Sequence, residues 1–225
     1  MTETFEIEGK TVNIFETEKT KSPLVILNTY SDEGEAVFKE ANLLGAKPFT
    51  LATISNLDWN ADMSPWENPP LYKNDAPFSG KADEYLETLS SKIIPAILEK
   101  LCEKPSYIAI AGYSLGGLFA LYASYKTAIF SKIASASASL WFPRFLDFAK
   151  SGQLRRKPDA VYLSLGDTEA KAKNKTLASV QENTQMLFEY FKSKDVKAIF
   201  ELNKGNHFSE CEKRMAKGIK WILEN

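Results

Sequence analysis

Ile108-Ala109-Ile110-Ala111-Gly112-Tyr113-Ser114-Leu115-Gly116-Gly117-Leu118-Phe119-Ala120-Leu121-Tyr122 decides the fold. A short apolar strand pattern runs into Gly-x-Ser-x-Gly, and an apolar helix pattern follows at once. A serine on such a strand-to-helix turn is held exposed at the C-terminal edge of a sheet. The turn is crowded, so small residues are required two before and two after the serine. Gly112 and Gly116 meet that need because glycine has no Cβ and tolerates strained backbone angles. A bare Gly-x-Ser-x-Gly arises by chance in roughly one chain in ten of this length at average composition. The strand and helix on either side make the motif a nucleophile elbow rather than an ordinary turn.

The rest of the chain alternates short β-rich runs with helical patterns. This predicts an α/β fold, a mostly parallel central sheet with helices on both faces. Phe5–Ile7 and Val12–Phe15 flank Glu8-Gly9-Lys10-Thr11 and read as an opening hairpin. Leu24–Asn28 and Phe49–Ile54 are short buried strands. Ala82–Leu101 carries apolar residues at helical spacing, with a kink or restart expected at Pro95. Tyr107–Ala111 enters the elbow and Gly116–Tyr125 leaves it. Ile133–Ser137, Ala160–Leu165 and Val196–Leu202 read as strands, and Ser179–Lys192 and Glu210–Leu223 as amphipathic helices. No repeat or linker interrupts residues 1–225, which are therefore expected to form one domain. Ser55 to Gly80 has no period and holds Trp59, Trp66, Tyr72 and four prolines; a loop of this length is expected either to serve function or to cover the core.

Bulk properties narrow the function. A net charge of −1 with acids and bases interspersed favours neither nucleic acid nor an anionic membrane. The start of the chain lacks a basic region followed by an apolar run, and no apolar stretch reaches spanning length, so a cytoplasmic protein is expected. Cys102 and Cys211 match neither a zinc pattern nor a disulfide framework and are expected to be buried free thiols.

Serine needs a neighbouring base. The chain has a single histidine, His207. It follows the last strand, in Asn203-Lys204-Gly205-Asn206-His207-Phe208, and loops at the C-terminal ends of parallel strands converge on the ligand crevice. The carboxylate that orients the histidine should leave the preceding strand, since the chain order in this architecture is Ser, acid, His. That strand ends in Gly166-Asp167-Thr168-Glu169, so Asp167 and Glu169 are both candidates. An oxyanion hole needs two N–H groups. Leu115, next to the nucleophile, should supply one. Tyr30, in the loop after Leu24–Asn28, should supply the other. Trp66 and Trp141 are candidates to line a substrate pocket, with core packing as the alternative. Arg144 is a candidate for an anionic substrate group, with a solvated surface role as its alternative.

Gly112-Tyr113-Ser114-Leu115-Gly116-Gly117, Ser135-Ala136-Ser137-Ala138-Ser139-Leu140-Trp141, Gly166-Asp167-Thr168-Glu169 and Gly205-Asn206-His207 resemble the esterase D branch of the α/β-hydrolases. Within it they are most similar to the enterochelin (ferric siderophore) esterase-like proteins, over roughly Leu24 to Leu223. The resemblance implies a serine hydrolase of esters or thioesters, with no metal or organic cofactor and a small-molecule ester as partner. It favours Glu169 as the acid. The chain departs from the family pattern after its first core strand, with Asn28-Thr29-Tyr30 in place of a His-Gly pair. A siderophore trilactone, an acetylated or feruloylated carbohydrate, or transfer of the acyl group to an alcohol are the alternative readings, and a non-catalytic binding protein is the reading from another class.

Overall fold

Strands covered by helices on both faces are buried at every position, and three runs of this protein are of that kind. The computed structural model describes residues 2–17 and 21–225. Met1, the first residue of the segment read for a leader, lies outside them. The chain opens with strands β1 (Thr2–Ile7), β2 (Lys10–Glu16) and β3 (Leu24–Asn28), then helix α1 (Gly34–Leu43) and β4 (Thr50–Ser55). The aperiodic stretch folds as a one-turn helix α2 (Trp59–Asp62) and a two-residue pair, β5 (Glu67–Asn68) and β6 (Phe78–Ser79). Helices α3 (Ala82–Thr88) and α4 (Ile94–Lys100) precede β7 (Ile108–Tyr113), α5 (Leu115–Lys126), β8 (Phe130–Ala136) and α6 (Phe145–Ser151). The chain closes with β9 (Ala160–Gly166), α7 (Lys175–Ala178), α8 (Val180–Ser193), β10 (Lys197–Asn203) and α9 (Cys211–Glu224).

Eight strands form one sheet in the order β1-β2-β4-β3-β7-β8-β9-β10. β1–β2 and β2–β4 pair antiparallel, and every pair from β4 across to β10 is parallel. The β3, β4 and β9 runs are buried throughout. Alternation splits them between two cores: Leu24 and Ile26 face the side of α3, α4, α5 and α8, whereas Val25 and Leu27 face α1 and α9. Helix α5 is buried from Leu115 to Tyr125. α9 is amphipathic, with Met215, Ile219, Ile222 and Leu223 inward. Because the central strands run the same way, Asn28, Tyr113, Ala136, Gly166 and Asn203 all end at one edge. The loops that leave them meet there.

The single helix expected over Ala82–Leu101 is broken by a π turn at Leu89–Ile93. The N–H of Ile94 reaches back to the carbonyl of Leu89, five residues away. Pro95 has no N–H for the carbonyl four residues before it, and its ring crowds that carbonyl, so the ladder slips one residue and restarts. Helices α1 and α6 were not expected. Their apolar faces are short, with Val37 and Ala41 buried in one and Phe145 and Ala149 in the other. The Ser55–Gly80 stretch is anchored by Ser64, which is fully buried. Its Oγ donates to Asn60 O at 2.6 Å and accepts from the Gly80 N–H at 2.9 Å. Neither thiol is buried as expected: Cys102 is exposed, beyond the end of α4, and Cys211 is half-buried at the start of α9.

Candidate active site

Ser114 stands between β7 and α5 with φ +57° and ψ −122°, a conformation costly for any residue with a Cβ. The surrounding structure enforces it. The Ser114 N–H donates to Ala136 O at 3.1 Å, and its carbonyl accepts from Leu118 N at 3.1 Å and Ser139 N at 3.0 Å. Helix α5 must therefore start almost on top of β7. A Cβ at Gly112 would lie 2.1 Å from Gly116 O and 2.2 Å from its carbonyl carbon. Backbone cannot move aside cheaply, so Gly112→Ala should destabilise the protein by about 3 kcal/mol or more. For a chain of this size that lowers Tm by roughly 6–12 °C. Thermal unfolding followed by circular dichroism measures it; an unchanged Tm would show that the elbow is not held this tightly.

Ser114 Oγ lies 3.1 Å from His207 Nε2. His207 Nδ1 lies 2.8 Å from Glu169 Oε2. The three side chains come from the loops after β7, β10 and β9. A close approach of two of those loops fixes the spacing: a Cβ at Gly166 would fall 2.4 Å from Gly205 O. Asp167, the other acid candidate, is exposed, and its Oδ1 accepts from the Gly205 N–H at 3.0 Å. It thus ties the acid loop to the histidine loop without meeting the imidazole. Burial alone would raise the Glu169 pKa, but hydrogen bonds from His207, Ser137 and the Gly166 N–H, with the charge of His207, outweigh it and hold the carboxyl down at about 2.

Three clefts open at Ser114. One of about 340 Å³ runs between Tyr30, Trp59, Val37, Phe208 and Met215. A second of about 620 Å³ runs between Leu71, Tyr72, Trp141, Val180 and Phe208. A third of about 370 Å³ is bounded by Asn60, Phe78, Leu115 and Trp141. Trp141 thus lines two of them. Trp66 lines none of the three. Its ring packs on Phe142, Phe145 and Phe148, its Nε1 donates to Pro143 O at 3.1 Å, and Arg144 lies over it at 5.4 Å. Trp66 and Arg144 share a separate surface hollow with Asp147. The Leu115 N–H opens α5 beside Ser114. Tyr30 lines the first cleft, and its N–H donates to Glu33 Oε1 at 2.8 Å, while the Ser31 N–H donates to Glu33 Oε2 at 2.8 Å.

Several residues around the site take places that no pattern in the single chain assigns to them. Tyr113 precedes Ser114, and its hydroxyl donates to His207 O at 2.7 Å. Burial pushes this phenol up, so it stays a neutral donor. Trp59 lies within 3.1 Å of where a Gly116 Cβ would be and meets Tyr30 edge-on at 5.5 Å. Ser137 and Arg214 both reach Glu169. Only the tertiary fold brings the end of β8 and helix α9 to Glu169.

A parallel-centred sheet with a strained serine elbow at its C-terminal edge defines an α/β-hydrolase. The family described as "Putative esterase" matches residues 31–209, and the chain belongs to that family. It is accordingly a hydrolase of ester bonds. A relative from Bacillus subtilis (strain 168), "Uncharacterized protein YbbA", is 24% identical over 169 residues, 72% of this chain and 68% of its own length. Among solved structures, the IroE-like serine hydrolase from Shewanella oneidensis superposes with a TM-score of 0.80 at 16% identity, covering 100% of this chain and 80% of that one. Siderophore hydrolase EstB from Aspergillus nidulans gives 0.78 at 16% identity, with 99% and 94% covered. These two share the fold. No helix among the described residues is long and apolar enough to cross a membrane.

Proposed function

We propose that the protein is a serine carboxylic-ester hydrolase acting on a small ester. Ser114 is the nucleophile, His207 the general base and acid, and Glu169 the carboxylate that orients His207. The observation that carries this reading is the unbroken line from Ser114 Oγ to His207 Nε2 and from His207 Nδ1 to Glu169 Oε2, at 3.1 and 2.8 Å. Glu169 accepts the Nδ1 proton, which leaves Nε2 unprotonated to receive the Ser114 hydroxyl proton. As Oγ bonds to the ester carbon, that proton passes to Nε2 and the carbonyl oxygen becomes an oxyanion. Collapse breaks the carbon–oxygen bond to the alcohol, which takes the proton from His207. Water then repeats the sequence on the acyl-enzyme and releases the acid.

The Leu115 N–H serves the oxyanion first, since it opens a buried helix directly beside Oγ. The Tyr30 N–H serves as the second donor when substrate displaces the Glu33 carboxylate. A negative charge at that amide opposes the charge developing on the substrate oxygen. Glu33→Gln should therefore raise kcat/KM about 2- to 10-fold on a neutral ester, a gain of roughly 0.4–1.4 kcal/mol. A fall of tenfold would mean the carboxylate assists the reaction instead. The ester straddles His207, with its two halves in the clefts on either side, and Trp141 lines the larger one. Siderophore hydrolases and the ferulic acid esterase of the same fold make trilactones and feruloylated sugars the first esters to try beside short acyl esters. The direct test of the reading is turnover of a short-chain p-nitrophenyl ester by the purified protein, lost in Ser114→Ala.

A further inference from the structure

Arg214 is among the largest fully buried side chains of the protein, 1% exposed, although it sits on an amphipathic helix whose other charges face water. Removing a guanidinium from water costs several kcal/mol, and a buried ion pair rarely repays that in stability over an apolar replacement. What the buried charge touches is therefore informative. Nη2 donates to Glu169 Oε1 at 3.0 Å and also to Ser137 Oγ. Nη1 donates to Asn206 O at 3.0 Å, the carbonyl next to His207. The flat face of the group lies 5.5 Å from the centre of the Tyr113 ring, and Tyr113 in turn holds His207 O.

We propose that Arg214 is a positioning residue for ester hydrolysis, clamping Glu169 and the His207 loop to each other from inside the protein. This rests on the roles given above to Glu169 and His207. Glu169 Oε1 accepts from Ser137 Oγ and Gly166 N–H, both at 2.6 Å, as well as from Arg214. That oxygen is saturated, the carboxylate cannot turn, and Oε2 alone is left for His207 Nδ1. Ser137 is held to this task at φ +44°, in the left-handed region that disfavours a side-chain-bearing residue. Lysine has no planar fork and cannot span Glu169 Oε1 and Asn206 O together.

The cation also sets the net charge that His207 faces, since both groups share the Glu169 carboxylate. With Arg214 present, the carboxylate is neutralised on its inner side, and its pull on an imidazolium is weakened. The other groups facing this region are Tyr113 from β7 and Cys211 from α9, with Glu33 and Glu212 across the first cleft and Lys171 at the second. None of these replaces a cation on Oε1.

The test compares Arg214→Lys, Arg214→Met and Glu169→Gln, each alone, with the double variant Arg214→Met/Glu169→Gln. The readouts are kcat, KM and the pH profile of kcat/KM on a p-nitrophenyl ester, corrected to folded protein by thermal melting. Arg214→Met should lower kcat about 10- to 100-fold with KM within threefold, and move the acid limb of the profile to higher pH. Arg214→Lys should leave the limb in place and recover only part of kcat. The double variant leaves no buried charge unpaired, so it reports even where Arg214→Met folds poorly. It should be no slower than Glu169→Gln, because Arg214 acts through that carboxylate. Wild-type kcat and limb in folded Arg214→Met and Arg214→Lys would overturn the proposal, as would losses that multiply in the double variant. Full activity in Glu169→Gln would instead overturn the role of Glu169 itself.

Discussion

Ser114→Ala should abolish turnover of a short-chain p-nitrophenyl ester, lowering kcat on the order of 10⁴-fold or more while leaving the fold intact. Removing a serine nucleophile in an enzyme of this kind leaves only what binding and oxyanion stabilisation supply. The magnitude follows from the site. Ser114 Oγ has His207 Nε2 at 3.1 Å, and its one other close partner is Ser139 Oγ at 3.4 Å, a neutral hydroxyl that cannot take up a proton as a base would. Among the described residues it is Ser114 Oγ, not Ser139 Oγ, that meets His207 Nε2. Alanine also fits the elbow, since the strained φ of +57° is set by the bonds to Ala136, Leu118 and Ser139 rather than by the hydroxyl. Tm should therefore stay within a few degrees of wild type. A fluorophosphonate probe should label the wild-type chain at Ser114 and leave Ser114→Ala unlabelled. A wild-type chain that neither labels nor turns over ester would instead favour a binding protein on a hydrolase scaffold, and residual turnover in Ser114→Ala above about 1% of wild type would place the nucleophile elsewhere.

The fold was readable because its informative features are local. An apolar run such as Leu24–Asn28, buried at all five positions, has to lie between two layers. The elbow carries its own strand and helix. Pro95 announced a break, though not that the break would take the form of a π turn, which depends on how Leu89 and Ile93 pack into the core. What escaped was weakly patterned. α1 buries few side chains, and its start is marked by Glu33 rather than by a favoured capping residue, so little in Gly34–Leu43 separates it from a loop.

At the site, local reading reached only so far. Ser114 and His207 were legible from the motif and from the single histidine, but whether Trp66 or Trp141 approaches the serine is decided by side-chain packing in a stretch without period. Trp141 lies in the loop that leaves β8 at the site edge, whereas Trp66 is drawn into the Phe142–Phe148 aromatic cluster. Tyr30 stands in the expected loop, yet Glu33, three residues on, already accepts its N–H. Arg214 is the clearest case. One arginine among the charged residues of α9 has no sequence mark, and its contacts with Asn206, Glu169, Ser137 and Tyr113 form only in the folded chain.

The two acid candidates next to each other in Gly166-Asp167-Thr168-Glu169 call for the second decisive experiment. Glu169→Gln should lower kcat about 10³- to 10⁴-fold, whereas Asp167→Asn should change it less than about fivefold. The glutamine keeps the shape and can still meet His207 Nδ1, but its amide presents either a donor or a neutral acceptor. The first forces the imidazole into the wrong tautomer for accepting the Ser114 proton, and the second removes the charge that stabilises the imidazolium. The Asp167 carboxylate meets the histidine loop at the Gly205 N–H, 3.0 Å away, an exposed contact that asparagine can also make. The pH dependence adds an independent check. Because the Glu169 carboxyl is held at about 2, it is ionised across the working range, and lowering the pH from 8 to 4 does not titrate it. The fall of kcat/KM on the acid side should then be a single step to which Glu169 contributes nothing, and no second step should emerge above about pH 3. Glu169→Gln removes the charge without adding a titrating group, so its residual activity should also fall through one step, displaced to lower pH because the imidazolium has lost its counter-charge. A profile for Glu169→Gln at the wild-type position and height, with Asp167→Asn crippled, would transfer the role to Asp167.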